Sequence, residues 1–371
     1  MTLRFFHGQI AFLKSRGVAV QAVSSGDERS TLKEFGILED IRVHPIDMAR
    51  HMAPISDAVS LIHLWCLFKR LRPDIVHSHS PKAALLGTLA ARGARVPNVV
   101  LSIFGLPQMT RTGLNRRFLD SVTKLECRLA DRVWCDSPSM RTYIIQQQLC
   151  APEKLVVLGN GSVNGVDSLG GFSPERQQSY GDEVRRHNRI PPEDLVIGFV
   201  GRITADKGMH ELTDAWRLLS AERSDLHLLL VGPLEQQDPL RPDDLAFLRE
   251  HPRVHITGEQ DDIGRYYAAM DIFVMPSYRE GFGVTNIEAA SMGLPVVATN
   301  IPGCVDSVQD GVTGSLVPPR DSLSLLLALR RYCDSDSLRI AHGQAGRQRV
   351  IADFQPAVIW QQLYDLYIEL A

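Results

Sequence analysis

The sequence has no apolar run long enough to cross a membrane and few cysteines. Its apolar stretches, such as residues 226–231, are far shorter than the roughly 20 residues that a transmembrane helix needs. The six cysteines are scattered without a C-x-x-C pair, which argues against a disulfide framework or a zinc site. Charges and a His interrupt the apolar pattern of the first fifteen residues, so no secretion signal is expected. We therefore expect a cytoplasmic protein.

Neither sign of charge dominates the 371 residues, which carry 40 basic and 43 acidic side chains. With 44% apolar and 22% charged residues, the composition excludes a disordered or fibrous protein, and the length suits two domains that each bury a core. The halves differ, however: residues 1–160 hold 21 basic and 13 acidic side chains, and the remainder holds 19 and 30. A basic first half could face phosphates or an anionic membrane, although composition also drifts between domains for no functional reason.

Predicted strands alternate with predicted helices along most of the chain, as in the strand 98–103 followed by the long helix that ends at Leu129. This pattern predicts an α/β fold with two Rossmann-like, doubly wound domains facing a central cleft. A stretch rich in Gly, Ser, Asn and Pro predicts a linker over 166–192. The predicted domains are 1–165 and 193–354, and a C-terminal helix over 355–371 is expected to pack back toward the first domain.

A helical stretch in the first half combines basic and apolar side chains. Its basic residues are Arg111, Arg116, Arg117, Lys124, Arg128 and Arg132, and they alternate with Leu114, Phe118, Leu119, Val122, Leu125 and Leu129. A basic amphipathic helix suits an anionic membrane surface. Three acidic residues within the stretch leave open the alternative of a solvated helix packed on its own core.

Two cations follow the strand predicted over 195–200. Gly201 and Arg202 come directly after it, and Lys207 lies at the start of the next helix. Arginine grips phosphate oxygens with a bidentate fork and lysine acts as a point charge, so this pair could hold a diphosphate. Surface Arg and Lys near a turn are common, so the pair alone is a weak signal.

A second pattern runs from the strand that ends at Met275 into a helix that begins near Val284. The intervening Gly281-Phe282-Gly283 lets the backbone approach a ligand closely, and the helix N-terminus attracts anions. Glu280 and Glu288 flank this loop. Carboxylates accept hydrogen bonds from vicinal hydroxyls, which suits a sugar or ribose. The alternative makes Glu280 a helix-capping charge and Glu288 an exposed helix residue.

The pattern from Glu280 to Glu288, followed by Gly293-Leu-Pro-Val-Val297, resembles the E-x7-E motif of the family four retaining glycosyltransferases of the GT-B fold. Arg202 and Lys207 lie upstream of it, where that family has its diphosphate-binding Arg and Lys. The resemblance implies sugar transfer from a nucleotide donor with retained configuration, and no cofactor or metal. It implies catalytic roles for Arg202, Lys207 and Glu280: the two cations bind the diphosphate and Glu280 binds the donor sugar. Glu288 binds the ribose. The donor-binding residues are then Gly201, Arg202, Lys207, Glu280, Gly281, Phe282, Gly283, Val284 and Glu288.

The first half resembles more narrowly the branch that builds bacterial surface polysaccharides such as capsule and O-antigen. This implies a UDP-sugar that donates a hexose or N-acetylhexosamine to a polyprenyl-diphosphate-linked glycan, and contact with the anionic inner face of the membrane. No nucleic acid partner is expected. The pieces of the first half that match the family are His77-Ser-His-Ser-Pro-Lys-Ala83 and Phe104-Gly-Leu-Pro107. They supply the acceptor-side candidates His77, His79, Lys82 and Gly105.

Two departures from the family pattern stand out. Phe104 occupies a position where many relatives have His, and the chain begins inside what should be the first helix, so the family's opening strand is expected to be missing. Two other interpretations therefore stay open. One is a nucleotide-sugar epimerase of the same architecture, and the other is a truncated, non-catalytic nucleotide-sugar-binding remnant.

Overall fold

The computed structural model describes residues 6–25, 29–48, 53–79, 81–235 and 237–371. The chain divides into two compact units, Met1–Asn164 with Pro356–Ala371 and Gly165–Gln355. In both, helices connect parallel strands, which confirms the predicted α/β class. None of the helices in the described part of the chain has the length and hydrophobicity needed to span a bilayer.

The first unit contains two parallel sheets among its described residues, with strand orders β1-β2 and β3-β4-β5-β6. The strands are β1 (Gln21–Ser24), β2 (Arg42–Pro45), β3 (Ile75–Ser78), β4 (Asn98–Ile103), β5 (Arg132–Cys135) and β6 (Leu155–Val157). The helices are α1 (Gln9–Ser15), α2 (Arg29–Leu38), α3 (Pro54–Leu71), α4 (Pro81–Ala94), α5 (Gly113–Leu129), α6 (Pro138–Gln146) and, from the end of the chain, α15 (Pro356–Leu370).

The second unit has one six-stranded parallel sheet in the order β12-β11-β10-β7-β8-β9. The strands are β7 (Leu195–Val200), β8 (Leu226–Val231), β9 (Val254–Gly258), β10 (Ile272–Met275), β11 (Val296–Thr299) and β12 (Gly314–Val317). The helices are α7 (Pro174–His187), α8 (Met209–Glu222), α9 (Pro242–Glu250), α10 (Gly264–Tyr267), α11 (Val284–Ser291), α12 (Cys304–Ser307), α13 (Ser322–Cys333) and α14 (Asp336–Asp353).

Buried strands and capped helices explain why the second unit folds this way. Every residue of β8 is buried, as expected for a central parallel strand covered by helices on both faces. Helices α13 and α14 begin at side-chain caps: Asp321 accepts a hydrogen bond from the Ser324 amide, and Ser335 accepts one from the Leu338 amide. The sheet is therefore a rigid frame for the loops at its edges.

The range 166–192, predicted as a linker, lies within the second unit and contains α7. Arg185 of α7 donates to the Asp271 carboxylate at 2.7 Å, and Gly181 lies so close to α10 that an added Cβ would be 2.6 Å from the Ala268 carbonyl oxygen. The sequence concealed this helix because few of its residues are apolar. Its buried positions are Gln177, Gly181 and Val184, which do not form an apolar stripe.

Other element bounds also differ from the sequence-based expectations. The chain is expected to begin inside the first helix, whereas the first helix of the described residues begins at Gln9, and residues 1–5 lie outside the described residues. Arg132 belongs to β5 rather than to the basic amphipathic helix, because α5 ends at Leu129. Strands β2 and β12 and helices α2, α9, α12, α13 and α14 were not predicted. The absence of an opening strand concerns the start of the chain and stays a prediction.

Candidate functional site

The strand order of the second unit reverses between β7 and β10. These strands pair through Ile197 and Ile272, with β8 and β9 on one side and β11 and β12 on the other. In doubly wound sheets, ligands bind beyond the carboxyl ends of the strands at such a reversal. Arg202 and Lys207 follow β7, and Glu280 follows β10. The structure therefore brings these three predicted site residues to one crevice.

The loops after β7 and β10 approach each other closely. Gly208 has a φ of +73°, and a Cβ on it would lie 1.9 Å from the Pro276 carbonyl oxygen, so a side chain cannot be accommodated there. The Tyr278 amide donates to the Asp206 carbonyl oxygen at 2.9 Å across the same junction. These contacts fix the spacing between Lys207 and the segment that carries Glu280.

Three cations of this crevice are paired with carboxylates. Arg202 Nη1 donates to Glu235 Oε2 at 2.9 Å, and Lys207 Nζ donates to Glu280 Oε1 at 2.5 Å. The third pair joins Arg279 Nη2 and Asp206 Oδ2 at 2.9 Å. Burial opposes ionisation of Asp206, but the hydrogen bond from Thr204 and the nearby guanidinium of Arg279 lower its pKa. The crevice therefore concentrates charges of both signs.

The loop from Gly281 to Val284 leads into α11. Gly283 adopts a left-handed φ of +78° at the N-cap of this helix, and an added Cβ would lie 2.7 Å from Asn286 Nδ2. The Phe282 side chain is buried and packs on Phe354 at a centroid distance of 5.3 Å. Phe282 therefore anchors the loop, and the helix N-terminus lies at the same sheet edge as the cations, where it favours anions.

Glu288 is partly buried on the second turn of α11, so the alternative of an exposed helix residue is wrong. Tyr267 donates its hydroxyl proton to Glu288 Oε2 at 2.8 Å. Burial raises the pKa of Glu288 to about 7, although the hydrogen bond from Tyr267 opposes the rise. Near neutral pH this group exists both as an acid and as a carboxylate.

Sequence reasoning missed five residues of this crevice: Asp206, Glu235, Tyr267, Arg279 and Asn286. Asp206 lies inside the Arg202–Lys207 motif and could have been proposed from its charge. Arg279 directly precedes the pattern from Glu280 to Glu288 and Asn286 lies inside it, so both could have been proposed in the same way. Glu235 and Tyr267 come from other elements, and nothing in their local sequence indicates the site. Asn286 is buried, donates to Ser307 Oγ at 2.9 Å, and has no hydrogen bond to its Oδ1 among the described residues.

No group of three or more His, Cys, Asp or Glu side chains within the described ranges is arranged to hold a metal ion. The cations of the crevice and the N-terminus of α11 are instead the groups that could offset the charge of a bound anion. Independence from metal stays a prediction, and an assay with a chelator present tests it directly.

The acceptor-side candidates lie at the carboxyl ends of β3 and β4 in the first unit. His77 is bonded on both ring nitrogens, to the Tyr367 hydroxyl at 2.5 Å and to Ser102 Oγ at 2.7 Å. Burial lowers the pKa of His77 well below its usual value and that of His79 to about 3. Both imidazoles are therefore neutral near pH 7.

The remaining candidates of the first unit differ from His77. The His79 ring packs on Phe104 at 5.7 Å and on Phe6 at 4.6 Å, and its Nδ1 has no hydrogen bond in the part of the chain that the structure describes. Lys82 forms an ion pair with Asp57, and Gly105 has a φ of +102° directly after β4. Their role toward an acceptor stays a prediction.

Comparisons with known proteins find glycosyltransferases for both halves of the chain. A family model described as "Glycosyl transferases group 1" matches residues 194–335, and one described as "Glycosyl transferase 4-like domain" matches residues 4–161. The chain is 32% identical over 367 residues to the capsular polysaccharide biosynthesis glycosyltransferase CapM of Staphylococcus aureus, covering 99% of this chain and 94% of that protein.

Two further similarities extend the comparison. A UDP-Gal:alpha-D-GlcNAc-diphosphoundecaprenol alpha-1,3-galactosyltransferase of Escherichia coli is 28% identical over 326 residues, covering 87% of this chain and 82% of that protein. The structure of Anabaena Alr3699/HepE in complex with UDP and glucose superposes with a TM-score of 0.77 at 21% identity, covering 98% of this chain and 96% of that one. The chain is therefore a glycosyltransferase with the GT-B fold and belongs to the group 1, or family four, glycosyltransferases.

Proposed function

We propose that this enzyme transfers a hexose or N-acetylhexosamine from a UDP-sugar to a polyprenyl-diphosphate-linked glycan during surface polysaccharide synthesis. The reaction retains the anomeric configuration and needs no metal. The observation that carries the proposal is the convergence of Arg202, Lys207, Glu280 and Glu288 at the strand reversal of the second unit. The similarity to CapM and to the E. coli galactosyltransferase supports the acceptor class.

The two cations at the β7 end suit the diphosphate of the donor. Arg202 and Lys207 are partly buried, with side-chain exposures of 29% and 16%, so solvent screens their charges less than at an open surface. As the sugar leaves, negative charge grows on the diphosphate, and fixed cations stabilise that charge without reorganisation. With the N-terminus of α11 they supply what a divalent metal supplies in other transferases.

The two glutamates of the E-x7-E motif suit the hydroxyl groups of the donor. Glu288 is held by Tyr267 and can accept hydrogen bonds from the vicinal hydroxyls of ribose. Glu280 precedes the loop that leads into α11, and we assign it to the hydroxyl groups of the donor sugar. We assign no side-chain nucleophile, because the leaving phosphate can itself help to deprotonate the acceptor hydroxyl on the same face.

A calorimetric binding screen tests the donor assignment. UDP, GDP and ADP are titrated into the purified chain with EDTA present. We expect UDP to bind and the other two to bind at least tenfold more weakly. Tight binding of GDP or ADP instead of UDP would replace the donor assignment, and no binding of any of the three by a folded protein would contradict a nucleotide-binding role of the second unit.

A product assay tests the reaction itself. The enzyme is incubated in EDTA with UDP-sugars and polyprenyl-diphosphate-linked acceptors, and the anomeric configuration of the product is read by NMR. We expect transfer with retention that depends on acceptor. Conversion of the donor sugar without any acceptor would indicate an epimerase, and a strict need for added metal would contradict metal independence.

We also propose that α5 contacts the anionic inner face of the membrane. Leu114 and Phe118 are 80% and 51% exposed on this helix, and the basic side chains Arg117, Lys124 and Arg128 lie exposed beside them. Apolar side chains that insert between headgroups, flanked by cations, are typical of helices that lie on membranes. Asp120 lies 3.8 Å from Arg116 and offsets the charge of that residue. The charges of Arg117, Lys124 and Arg128 therefore remain.

Liposome flotation tests the membrane contact. Binding to vesicles containing phosphatidylglycerol should fall as salt rises, because screening weakens the attraction. Phe118→Ser should weaken flotation severalfold. Leu323→Ser, a change at a 63% exposed leucine of the second unit, is the matched control and should not weaken it. Equal flotation of both variants, or insensitivity to salt, would contradict the contact through α5.

A further inference from the structure

The loop after β8 is joined to the loop after β7 by backbone hydrogen bonds. The Ile203 amide donates to the Pro233 carbonyl oxygen at 2.9 Å, and the Ala205 amide donates to the Asp238 carbonyl oxygen at 3.2 Å. Leu234 pairs with Ile203 in an isolated parallel bridge. Glu235 therefore stands opposite Arg202 because the two backbones run side by side.

A glycine makes this approach possible. Gly232 has a φ of +141°, and an added Cβ would lie 1.9 Å from the Gly201 carbonyl oxygen. No other residue type could occupy this position without separating the two loops. The distance between Arg202 and the Glu235 segment is thus set by the fold as well as by the attraction between the two side chains.

The ion pair between Arg202 and Glu235 neutralises a cation assigned to the diphosphate. The Nη1 to Oε2 distance is 2.9 Å, and the two side chains are 29% and 26% exposed. Glu235 occupies the Nη1 donor of Arg202, so a phosphate oxygen that uses this donor must take the position of the Glu235 carboxylate oxygen. The diphosphate and Glu235 therefore compete for the same guanidinium.

Of the carboxylates near the cations, Glu235 is the one that can leave with few broken contacts and that has no assigned role toward the donor. Asp206 accepts hydrogen bonds from Thr204 at 2.6 Å and Arg279 at 2.9 Å, and Glu280 is assigned to the donor sugar. Glu235 accepts a side-chain hydrogen bond from Arg202 and from no other side chain in the described ranges. Displacing it costs one ion pair and leaves its carboxylate free to turn to solvent.

We propose that Glu235 is a positioning residue that holds Arg202 in the empty site and yields it to the donor diphosphate. The inference rests on the proposed function, because it assigns Arg202 to that diphosphate. By competing for the guanidinium, Glu235 weakens the hold on UDP and recaptures Arg202 when UDP leaves. Release of product often limits turnover, so such a competitor can speed the cycle.

Calorimetry with Glu235→Gln tests the proposal. Glutamine has the same shape as glutamate but no charge, so it competes poorly with phosphate while still contacting Arg202. We expect UDP to bind about three- to tenfold more tightly than in the unchanged protein. Binding of uridine, which has no phosphate, should be unchanged, and the gain for UDP should shrink as salt rises.

Two further variants separate this role from a structural one. Glu193→Gln removes the same charge just before β7 begins, at the opposite edge of the sheet, and should leave UDP affinity unchanged. In an Arg202→Gln background, Glu235→Gln should lose its effect, because the two residues act through one ion pair. Glu235→Asp, with a shorter reach, should tighten UDP binding in the same direction.

The outcomes distinguish the inference from the function on which it rests. If the unchanged protein binds UDP and Glu235→Gln binds it equally or more weakly, the competition is wrong and the donor assignment stands. If neither binds UDP, both are overturned. Tighter binding of uridine as well as UDP would show an effect on the base or ribose, and would also overturn the competition.

Discussion

Both units place polar side chains at the carboxyl ends of parallel strands, but their environments are opposite. In the first unit, His77 and His79 lie in an aromatic cluster with Trp134 and Phe104, and burial lowers both of their pKa values. In the second unit, Arg202 and Lys207 are charged and paired with carboxylates at partly exposed positions. The same topological position thus supports a neutral core in one unit and an ionic crevice in the other.

The difference lies in whether a polar group's partners can be exchanged for a ligand. His77 has both nitrogens bonded to side chains of its own unit, and breaking those bonds would leave buried polar atoms unpaired. Arg202 and Lys207 each face a carboxylate that a phosphate can replace. A polar residue at a strand end therefore indicates a ligand site only where its partners can be replaced.

The largest expected effect that separates the units is on catalysis. Lys207→Ala and Arg202→Ala should each lower the rate of sugar transfer by about 10²- to 10³-fold, because each removes a preorganised hydrogen-bond donor that stabilises the charge of the transition state. The midpoint of urea unfolding should change little, because both side chains lie in the loop after the carboxyl end of β7 and not in the hydrophobic core. Arg330→Ala, which removes an exposed cation paired with Glu222, is the control and should leave the rate unchanged. Near-normal rates in both test variants would contradict the diphosphate assignment.

The sequence predicted most of the second unit's site because its signal is local. Arg202 and Lys207 follow one strand within a few residues, and Glu280 to Glu288 span one turn and the start of one helix. A strand end fixes where such residues lie, and the order of strands then brings two such ends together. The parallel α/β class was also predictable from local sequence, since the spacing of apolar residues differs between buried strands and amphipathic helices.

What the sequence did not predict depends on contacts between distant segments. Tyr267 meets Glu288 across two elements, and Glu235 meets Arg202 because one loop pairs with another. Helix α7 escaped detection because it buries Gln177 and Gly181 rather than an apolar stripe. The sequence offered His77 as an acceptor-side candidate, although a structural histidine is the commoner case, and it gave no sign of the partner Tyr367, which lies 290 positions later.

A smaller effect, on stability, is expected in the first unit. Tyr367→Phe removes the hydroxyl bonded to His77 Nδ1 and leaves that buried nitrogen unpaired, which should cost about 1–3 kcal/mol. The measurement is the urea midpoint of the unfolding transition of this unit, with UDP affinity measured in parallel. UDP affinity should be unchanged, because the residues proposed to bind the donor lie in the other unit.

Tyr364→Phe is the matched control for this stability prediction. Tyr364 lies on the same helix and is partly buried, and its hydroxyl makes no hydrogen bond among the described residues. Its replacement should shift the midpoint very little. A loss of UDP affinity in Tyr367→Phe without a change in stability would contradict the structural role of His77 and its partners in the first unit.

The smallest expected effect is a pH dependence of nucleotide binding that arises from Glu288. This residue belongs to the ionic crevice, yet burial shifts its pKa as burial shifts those of the histidines in the first unit. In its proposed role the carboxylate form can accept hydrogen bonds from both ribose hydroxyls, whereas the acid form accepts them poorly. With a pKa of about 7, the preference for UDP over 2′-deoxy-UDP should rise as pH increases from 6 to 8, by roughly two- to fivefold. Because both nucleotides carry the same titrating diphosphate, their ratio isolates the ribose contact.

Tyr267→Phe sharpens this test because it changes the titration and leaves the diphosphate contacts in place. The Tyr267 hydroxyl lowers the pKa of Glu288, so its removal should raise that pKa further and move the rise in ribose preference to higher pH. At pH 7 the variant should discriminate less between the two nucleotides than the unchanged protein does, and at pH 9 the difference should narrow. A ribose preference that is independent of pH in both proteins would mean that Glu288 does not contact the ribose, and the crevice would then recognise its donor through the phosphates and the sugar alone.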